Sequence, residues 1–299
     1  MRISVVHPAR NEHSEIEATV SSMLAAGADE VLVFDDGSDT PIPEDTRTVH
    51  FRHDVSLGPS VCRNLGARRS TGDVVVFADA HTRIDDLRGI CEEAVRRQAI
   101  MVPAMQSLHG KGEVTGYSRN FICKGVGSEL IAFDIWNRRP EQRYTRLGGN
   151  WGGFFIMPRA VYEKIGGWVD HHFWGYNDPS LILKAWFCDV PVILDRDTIY
   201  KHKGKVKCGF GYPVAAIHPL FNILHSYRVI FNEQTWEDHW KPLMDAHHHW
   251  MMERGLARVS TEAVLAEVAD FATRKVRSDE EFFSDFLPSK GFNAQPCDD

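Results

Sequence analysis

Asp79-Ala80-His81 stands directly after the apolar run Val74-Val75-Val76-Phe77, which puts a carboxylate and an imidazole at the end of a strand. An oxygen donor and a nitrogen donor together suit a hard-to-borderline divalent ion, and such an ion neutralises a diphosphate leaving group. The same triplet also begins capped helices, so its meaning depends on what surrounds it. Asp35-Asp36-Gly37-Ser38 follows a second apolar run, Glu30 to Phe34, and is equally suited to a turn. Pro8-Ala9-Arg10-Asn11-Glu12 follows a third, Ile3 to His7. His202 lies in Lys201-His202-Lys203-Gly204-Lys205-Val206-Lys207, where an imidazole is either a ligand or part of a solvated basic loop. Asp178, in Trp174-Gly175-Tyr176-Asn177-Asp178-Pro179, reads as the cap of a helix with Pro179 in its first turn. A cap and a role in the site are compatible in one residue.

These residues need a scaffold that brings strand ends together. Periodicity predicts a β-α-β start: strand 3–7, amphipathic helix 14–26, strand 30–34, a short strand 48–51, helix 58–70 and strand 73–77. Continuous apolar strands alternating with helices indicate a parallel sheet covered on both faces, whose ligands bind beyond the carboxyl ends of the strands. Asp35, Asp36, Asp79 and His81 all fall there. Farther on, the pattern predicts strand 154–157, a short helix ending at Gly166-Gly167, a helix to about Cys188 and strands 192–194 and 198–202. Four helices follow near 219–231, 236–254, 261–274 and 280–287. Trp151, Trp168 and Trp186 read as packing residues, and His247-His248-His249 as a solvated helix face.

The chain has 299 residues and a formal net charge of −7, which argues against a surface that is basic throughout. The first apolar run is too short for a signal-peptide core, and nowhere do 18 apolar residues occur in a row. The six cysteines form no C-x-x-C pair and there is no Asn-x-Ser/Thr acceptor, so the expected compartment is the cytoplasm.

Several segments occur in a telling order: Asn11-Glu12; Gly58 through Arg63 to Gly66-Ala67; Asp79-Ala80-His81; Gly152-Gly153-Phe154-Phe155; Ile165-Gly166; Trp174-Gly175 with Trp186; His202; and Asn222, Arg228 and Trp236. Together they resemble the GT-A glycosyltransferases, family 2 among them. The likeness is closer to the catalytic domain of the polypeptide N-acetylgalactosaminyltransferases, whose metal motif is Asp-x-His. The resemblance implies an α/β GT-A fold over residues 1–207, a Rossmann-like nucleotide-sugar-binding sheet with helices on both faces, and a helical C-terminal extension over 208–299 packed on it. It implies transfer of a hexose or N-acetylhexosamine from a UDP-sugar to a hydroxyl acceptor, with manganese as the metal and magnesium second, and with retention of configuration; likeness to the family 2 inverting enzymes, which place a base carboxylate in a similar loop, gives inversion with Asp178 as base as the alternative.

Carried across residue by residue, the resemblance gives Asp79, His81 and His202 as the metal ligands. Asp36 would accept from the uracil amide, Pro8, Ala9 and Arg10 would line the base and ribose, and Arg63 would sit on the nucleotide side. Gly152 and Gly153 would let backbone approach the donor sugar, while Trp174, Asn177 and Asp178 would face the sugar and the acceptor. The chain departs from the family pattern at Tyr176-Asn177-Asp178, where those enzymes read Gly-Glu-Asn. It also shows no counterpart of the membrane anchor and lectin domain of the animal enzymes, so a secretory-pathway protein glycosylator is not the expectation. The acceptor is open among glycan, protein and modified nucleic acid. Arg138, Arg139, Arg143 and Arg146 with Lys201, Lys203, Lys205 and Lys207 would flank the crevice and dock a polyanion such as hydroxymethylated DNA. The alternatives are a sugar-phosphate nucleotidyltransferase, against which stands the absence of a glycine-rich triphosphate loop, and a non-catalytic nucleotide-sugar-binding protein.

Overall fold

The computed structural model describes residues 1–109, 114–123, 131–136, 139–148, 153–204, 212, 215, 217–286, 295 and 296. The strands β1 (Ile3–Ala9), β2 (Glu30–Asp36) and β4 (Val74–Ala78) pair in parallel in the order β4-β1-β2, and β3 (Val49–His53) adds in parallel outside β2. They are covered on both faces, which is why their sequences run apolar without alternation. The helix α1 (Ile16–Ala25) and α3 (Arg88–Arg97) cover one face with Ile16, Val20, Met23 and Ile90, whereas α2 (Pro59–Arg69) covers the other with Cys62 and Ala67. Gly66 lets α2 lie close to β1, because a Cβ there would fall 2.2 Å from Val6 Cγ1.

Beyond β4 the sheet is mixed, not wholly parallel as the sequence predicts. β11 (Phe154–Pro158) runs antiparallel to both β4 and β6 (Ile100–Ser107), and β12 (Val192–His202) runs parallel to β6. An apolar run records burial on both faces but not direction, which tertiary contacts decide. The strands expected over 192–194 and 198–202 are one strand whose register shifts between Asp195 and Ile199. β5 (Thr82–Ile84) turns back after Asp79-Ala80-His81 and pairs antiparallel with the end of β12, Thr82 opposite His202. The remaining strands are β7 (Val114–Gly116) beside β6, β10 (Tyr144–Leu147) beside β12, β13 (Gln295–Pro296) beside β10, and a separate antiparallel pair, β8 (Ser118–Cys123) with β9 (Ile131–Trp136).

The helix α4 (Arg159–Ile165) stops at Gly166, which takes the left-handed conformation expected of a helix end. In α5 (Asn177–Phe187) Asp178 lies inside the first turn and Tyr176, also left-handed, is the cap residue, so the capping expected of Asp178 is not made. The chain continues through α6 (Ile217–Ile230), α7 (Glu233–Thr235), a π-helical turn (Trp236–Trp240), α8 (Lys241–Val259), α9 (Glu262–Ala272) and α10 (Asp279–Phe286). Asn232 caps the start of α7, accepting from Thr235 N at 2.8 Å, and α8 is broken at His248. His247 and His249 are exposed, as a solvated face requires. These helices share the main core: Phe187 stacks on Phe282 at 5.5 Å, Trp186 meets Phe286 at 5.6 Å, and Phe231 meets Phe187 at 5.4 Å. Among the described residues no helix is long and apolar enough to cross a membrane.

His7 sits inside the sheet with no solvent exposure, its Nδ1–H donating to Ala78 O at 2.8 Å. Burial above all, with the charges of His81 and Arg83 adding to it, lowers its pKa from 6.5 to about 4. An unfolded chain binds this proton below pH 6.5 and the folded one does not, so folding stability falls as pH drops from 6.5 towards about 4. The expected loss is about 3 kcal/mol. Urea unfolding of the wild type and His7→Gln across that range tests this, since the variant should lose that share of the acid sensitivity; identical slopes would refute it.

Candidate active site

Three strand ends converge on one cluster. β4 delivers Asp79, the turn into β5 delivers His81, and the end of β12 delivers His202, whose Nε2 lies 3.5 Å from Asp79 Oδ2. His81 Nε2 is 4.0 Å from the same oxygen, the two rings are 4.7 Å apart, and one donor atom from each residue falls within 4.8 Å of the others. The pairing of β5 with β12 produces this closeness, because Lys203 N also donates to His81 O at 3.2 Å. Two donors in neighbouring positions about 2.1 Å from a shared ion sit about 3 Å apart, and these separations are little wider. One carboxylate and two imidazoles therefore fit a divalent cation such as manganese or magnesium.

The cluster is held from behind. Thr82 Oγ1 donates to Asp79 O at 2.8 Å, and Thr19 Oγ1 donates to Ala80 O at 2.8 Å. Glu12 Oε1 lies 3.1 Å from His81 Nδ1; a carboxylate only accepts, so Nδ1 donates to it and Nε2 faces Asp79. The sequence reading gives Asn11-Glu12 no chemical role. The available signal is an acid at the end of β1 beside a histidine at the end of neighbouring β4. Although burial opposes ionisation of Asp79, the His202 hydrogen bond and the charges of Arg63 and His81 hold its carboxyl well below the usual range.

Arg63 joins the two ends of the site. Its side chain is buried, stacks 4.3 Å from the centre of the Trp168 ring, and donates from Nη2 to Asp79 Oδ1 at 3.1 Å and from Nη1 to Asp178 Oδ1 at 3.4 Å. Asp79 thus gives Oδ1 to Arg63 and turns Oδ2 towards the histidines. Asn177 is buried and committed to its own loop: its Oδ1 accepts from Gly175 N at 2.9 Å and its Nδ2 donates to Ser60 Oγ at 2.8 Å. Trp174, in the same loop, is half-buried. Asn222, on α6, donates to Phe173 O at 2.9 Å and Gly175 O at 2.6 Å, so the C-terminal helices hold the Trp174 loop from outside the sheet.

The expected nucleotide residues are placed differently from one another. Pro8 and Ala9 are the buried last residues of β1. Arg10 donates to Asp36 O at 3.3 Å and pairs with Asp39 at 3.6 Å. Asp36 has no solvent exposure and braces the loop before α2, accepting from Leu57 N at 2.6 Å, Gly58 N at 2.9 Å and Ser56 Oγ at 2.9 Å. Gly153 has φ +65° and its carbonyl oxygen accepts from Asp79 N at 2.9 Å, and a Cβ on it would fall 2.2 Å from Asp79 Oδ2. The space it leaves is filled by the Asp79 carboxylate. Gly152, Trp151, Arg138, Lys205 and Lys207 lie outside the described residues. Of the basic flank, Arg139 pairs with Asp197 at 3.1 Å, Arg143 with Asp195 at 3.1 Å, Lys201 with Asp85 at 3.3 Å and Lys203 with Glu15 at 2.7 Å.

The model of a family described as glycosyl transferase family 2 matches residues 4–166. Among curated proteins, the chain is 25% identical over 206 residues to "Probable N-acetylgalactosaminyltransferase 9" of Caenorhabditis elegans, a match covering 60% of this chain and 34% of that protein. It is 22% identical over 266 residues to "Probable N-acetylgalactosaminyltransferase 7" of the same organism, covering 79% and 44%. The chain thus spans less than half the length of these relatives. Among solved structures, that of GalNAc-T7 with UDP, GalNAc and Mn2+ shares the fold with a TM-score of 0.72 at 15% identity, covering 96% of this chain and 58% of that one.

Two variants probe the cluster through metal affinity. Glu12→Ala should weaken Mn2+ binding about 10–100-fold, as loss of a partner behind a ligating histidine generally does. Gly153→Ala should weaken it at least as much, because the new Cβ displaces Asp79. Titration of free Mn2+ by electron paramagnetic resonance measures both, and wild-type affinity in Gly153→Ala would mean that Asp79 is not a ligand.

Proposed function

Because the chain belongs to glycosyl transferase family 2, we propose that it is a metal-dependent glycosyltransferase carrying a hexose or N-acetylhexosamine from a UDP-sugar to a hydroxyl acceptor. The observation that carries this reading is the convergence of Asp79, His81 and His202, tied through Arg63 to Asp178. The similar proteins named above support the sugar-nucleotide donor, and the carboxylate-plus-imidazole donor set supports manganese, with magnesium second.

When bound, the ion supplies countercharge to the diphosphate as it leaves the sugar. Asp79, His81 and His202 hold it, Glu12 orients His81, and Arg63 fixes which oxygen of Asp79 faces it. Arg10 and Asp36 order the strand ends against which the nucleotide lies, Pro8 and Ala9 anchoring that edge inside the sheet. Trp174 borders the sugar and acceptor, while Asn177 and Asn222 fix its loop. Asp178 shares Arg63 with Asp79, so its charge is tied to the metal cluster. That tie supports retention of configuration, in which Asp178 positions groups in the site and no side chain need remove the acceptor proton before the sugar bond breaks. The acceptor is a hydroxyl compound, whether glycan, protein or modified nucleic acid; of the basic residues flanking the crevice, Arg139, Arg143, Lys201 and Lys203 pair with neighbouring carboxylates.

A panel of UDP-sugars with Mn2+ and hydroxyl acceptors, followed by nucleotide release and by NMR of the product anomer, tests the reading. UDP release should require the metal and fall at least about 100-fold in Asp79→Ala. Full turnover in that variant overturns the metal assignment. An inverted product abolished by Asp178→Asn overturns retention and makes Asp178 the base.

A further inference from the structure

A second group of ligand-type side chains gathers at the start of α2, where Cys62 precedes Arg63. Asp36 at the end of β2, His53 at the end of β3 and Cys62 in the first turns of α2 each place one donor atom within 4.8 Å of the other two. Asp36 and Cys62 are buried and His53 is half-buried. His53 Nδ1 is shielded from water and has no hydrogen-bond partner among the described residues, and the Tyr212 hydroxyl is likewise buried and unpartnered. Burial first, and then the nearby Cys62 and Asp36, push the Tyr212 hydroxyl upward, which places it beside the same group. Unsatisfied nitrogen and oxygen atoms next to a thiol and a carboxylate are uncommon in a folded interior, and each calls for a reason.

We propose that Asp36, His53 and Cys62 form a second metal site, specific for a thiophilic divalent cation of the zinc type. On binding, the Cys62 S–H bond breaks, its proton passes to solvent, and the sulfur donates its electron pair to the metal. The resulting thiolate and the Asp36 carboxylate balance the two positive charges of the ion, and neutral His53 adds a nitrogen. Sulfur, nitrogen and oxygen in a buried setting select zinc or cobalt over manganese or magnesium, whereas the sulfur-free set of Asp79, His81 and His202 does not. The two sites therefore sort metals by donor chemistry. Because Asp36 also holds Ser56, Leu57 and Gly58, occupancy stiffens the loop that opens α2. This assignment shares Asp36 with the nucleotide edge of the proposed transferase site, but a metal titration without nucleotide tests it separately from that reading.

Co2+ titration of the full chain separates the sites. In His202→Ala, where the first site is disabled, one equivalent of Co2+ should still bind and give a near-ultraviolet sulfur-to-cobalt charge-transfer band that Zn2+ bleaches and Mn2+ does not. Cys62→Ser in that background should lose the band. His53→Gln, a change at a half-buried position, should weaken Co2+ binding about tenfold or more while circular dichroism remains native, so the test survives even if Cys62→Ser fails to fold. Absence of the band in His202→Ala, or its persistence with unchanged affinity in His53→Gln, overturns the site.

Discussion

The site depends on a single buried cation. Arg63 projects from α2 between two carboxylates delivered by different parts of the fold, Asp79 from β4 and Asp178 from α5, and lies on the face of Trp168. Without it, two acids would face each other in a poorly hydrated crevice, and deleting one partner of such a buried arrangement typically costs about 3–5 kcal/mol. The guanidinium also divides the labour of Asp79, taking Oδ1 and leaving Oδ2 to the histidines. Its planar fork suits this task in a way a lysine's point charge would not, because the two carboxylates are engaged by separate nitrogens. The register of α2 on β1, set by the close approach at Gly66, therefore reaches the metal cluster through one turn of helix.

The C-terminal helices enter the same logic from the other side. Asn222 holds the carbonyls of Phe173 and Gly175, Ser226 Oγ lies 2.9 Å from His171 Nε2, and His225 pairs with Glu267 of α9 at 3.0 Å. His171 is fully buried, and burial, with the charge of His225, depresses its pKa well below the usual value, so it serves as a neutral hydrogen-bonding spacer. A chain of buried polar groups of this kind is specific only when every member is satisfied, which ties the loop bearing Trp174 to the packing of α6 and α9. The helices outside the sheet thus fix the loop that carries Trp174.

The strand ends were the legible part of this site. Apolar runs fix where strands stop and so placed Asp79 and His81 at one strand end, while His202 joined them only through the resemblance to the glycosyltransferases. The register that makes them neighbours was not legible, since β5 turning back onto β12 is a tertiary event with no local signature. Asp36 shows another hidden part. Its residue type and position suit a nucleotide contact, and it also accepts from backbone N–H groups about twenty residues away, a commitment no local pattern records. Gly153 was singled out for the right property, absence of a Cβ, but the space serves Asp79. Direction was likewise hidden in β11, whose apolar residues would look the same in a parallel strand.

The −7 net charge gains a local meaning from these pairings. Among the described residues, several cations near the crevice are matched by acids: Arg63 is shared by two, Lys203 is held by Glu15, and Arg143 by Asp195. A diphosphate approaching such a surface meets carboxylates and cations already matched, and electrostatic attraction from matched pairs decays quickly in water. On the proposed function its countercharge would come from a cation held by Asp79, His81 and His202, and the surrounding hydrogen bonds from Glu12, Thr19, Thr82 and Arg63 hold those side chains and their turn in place.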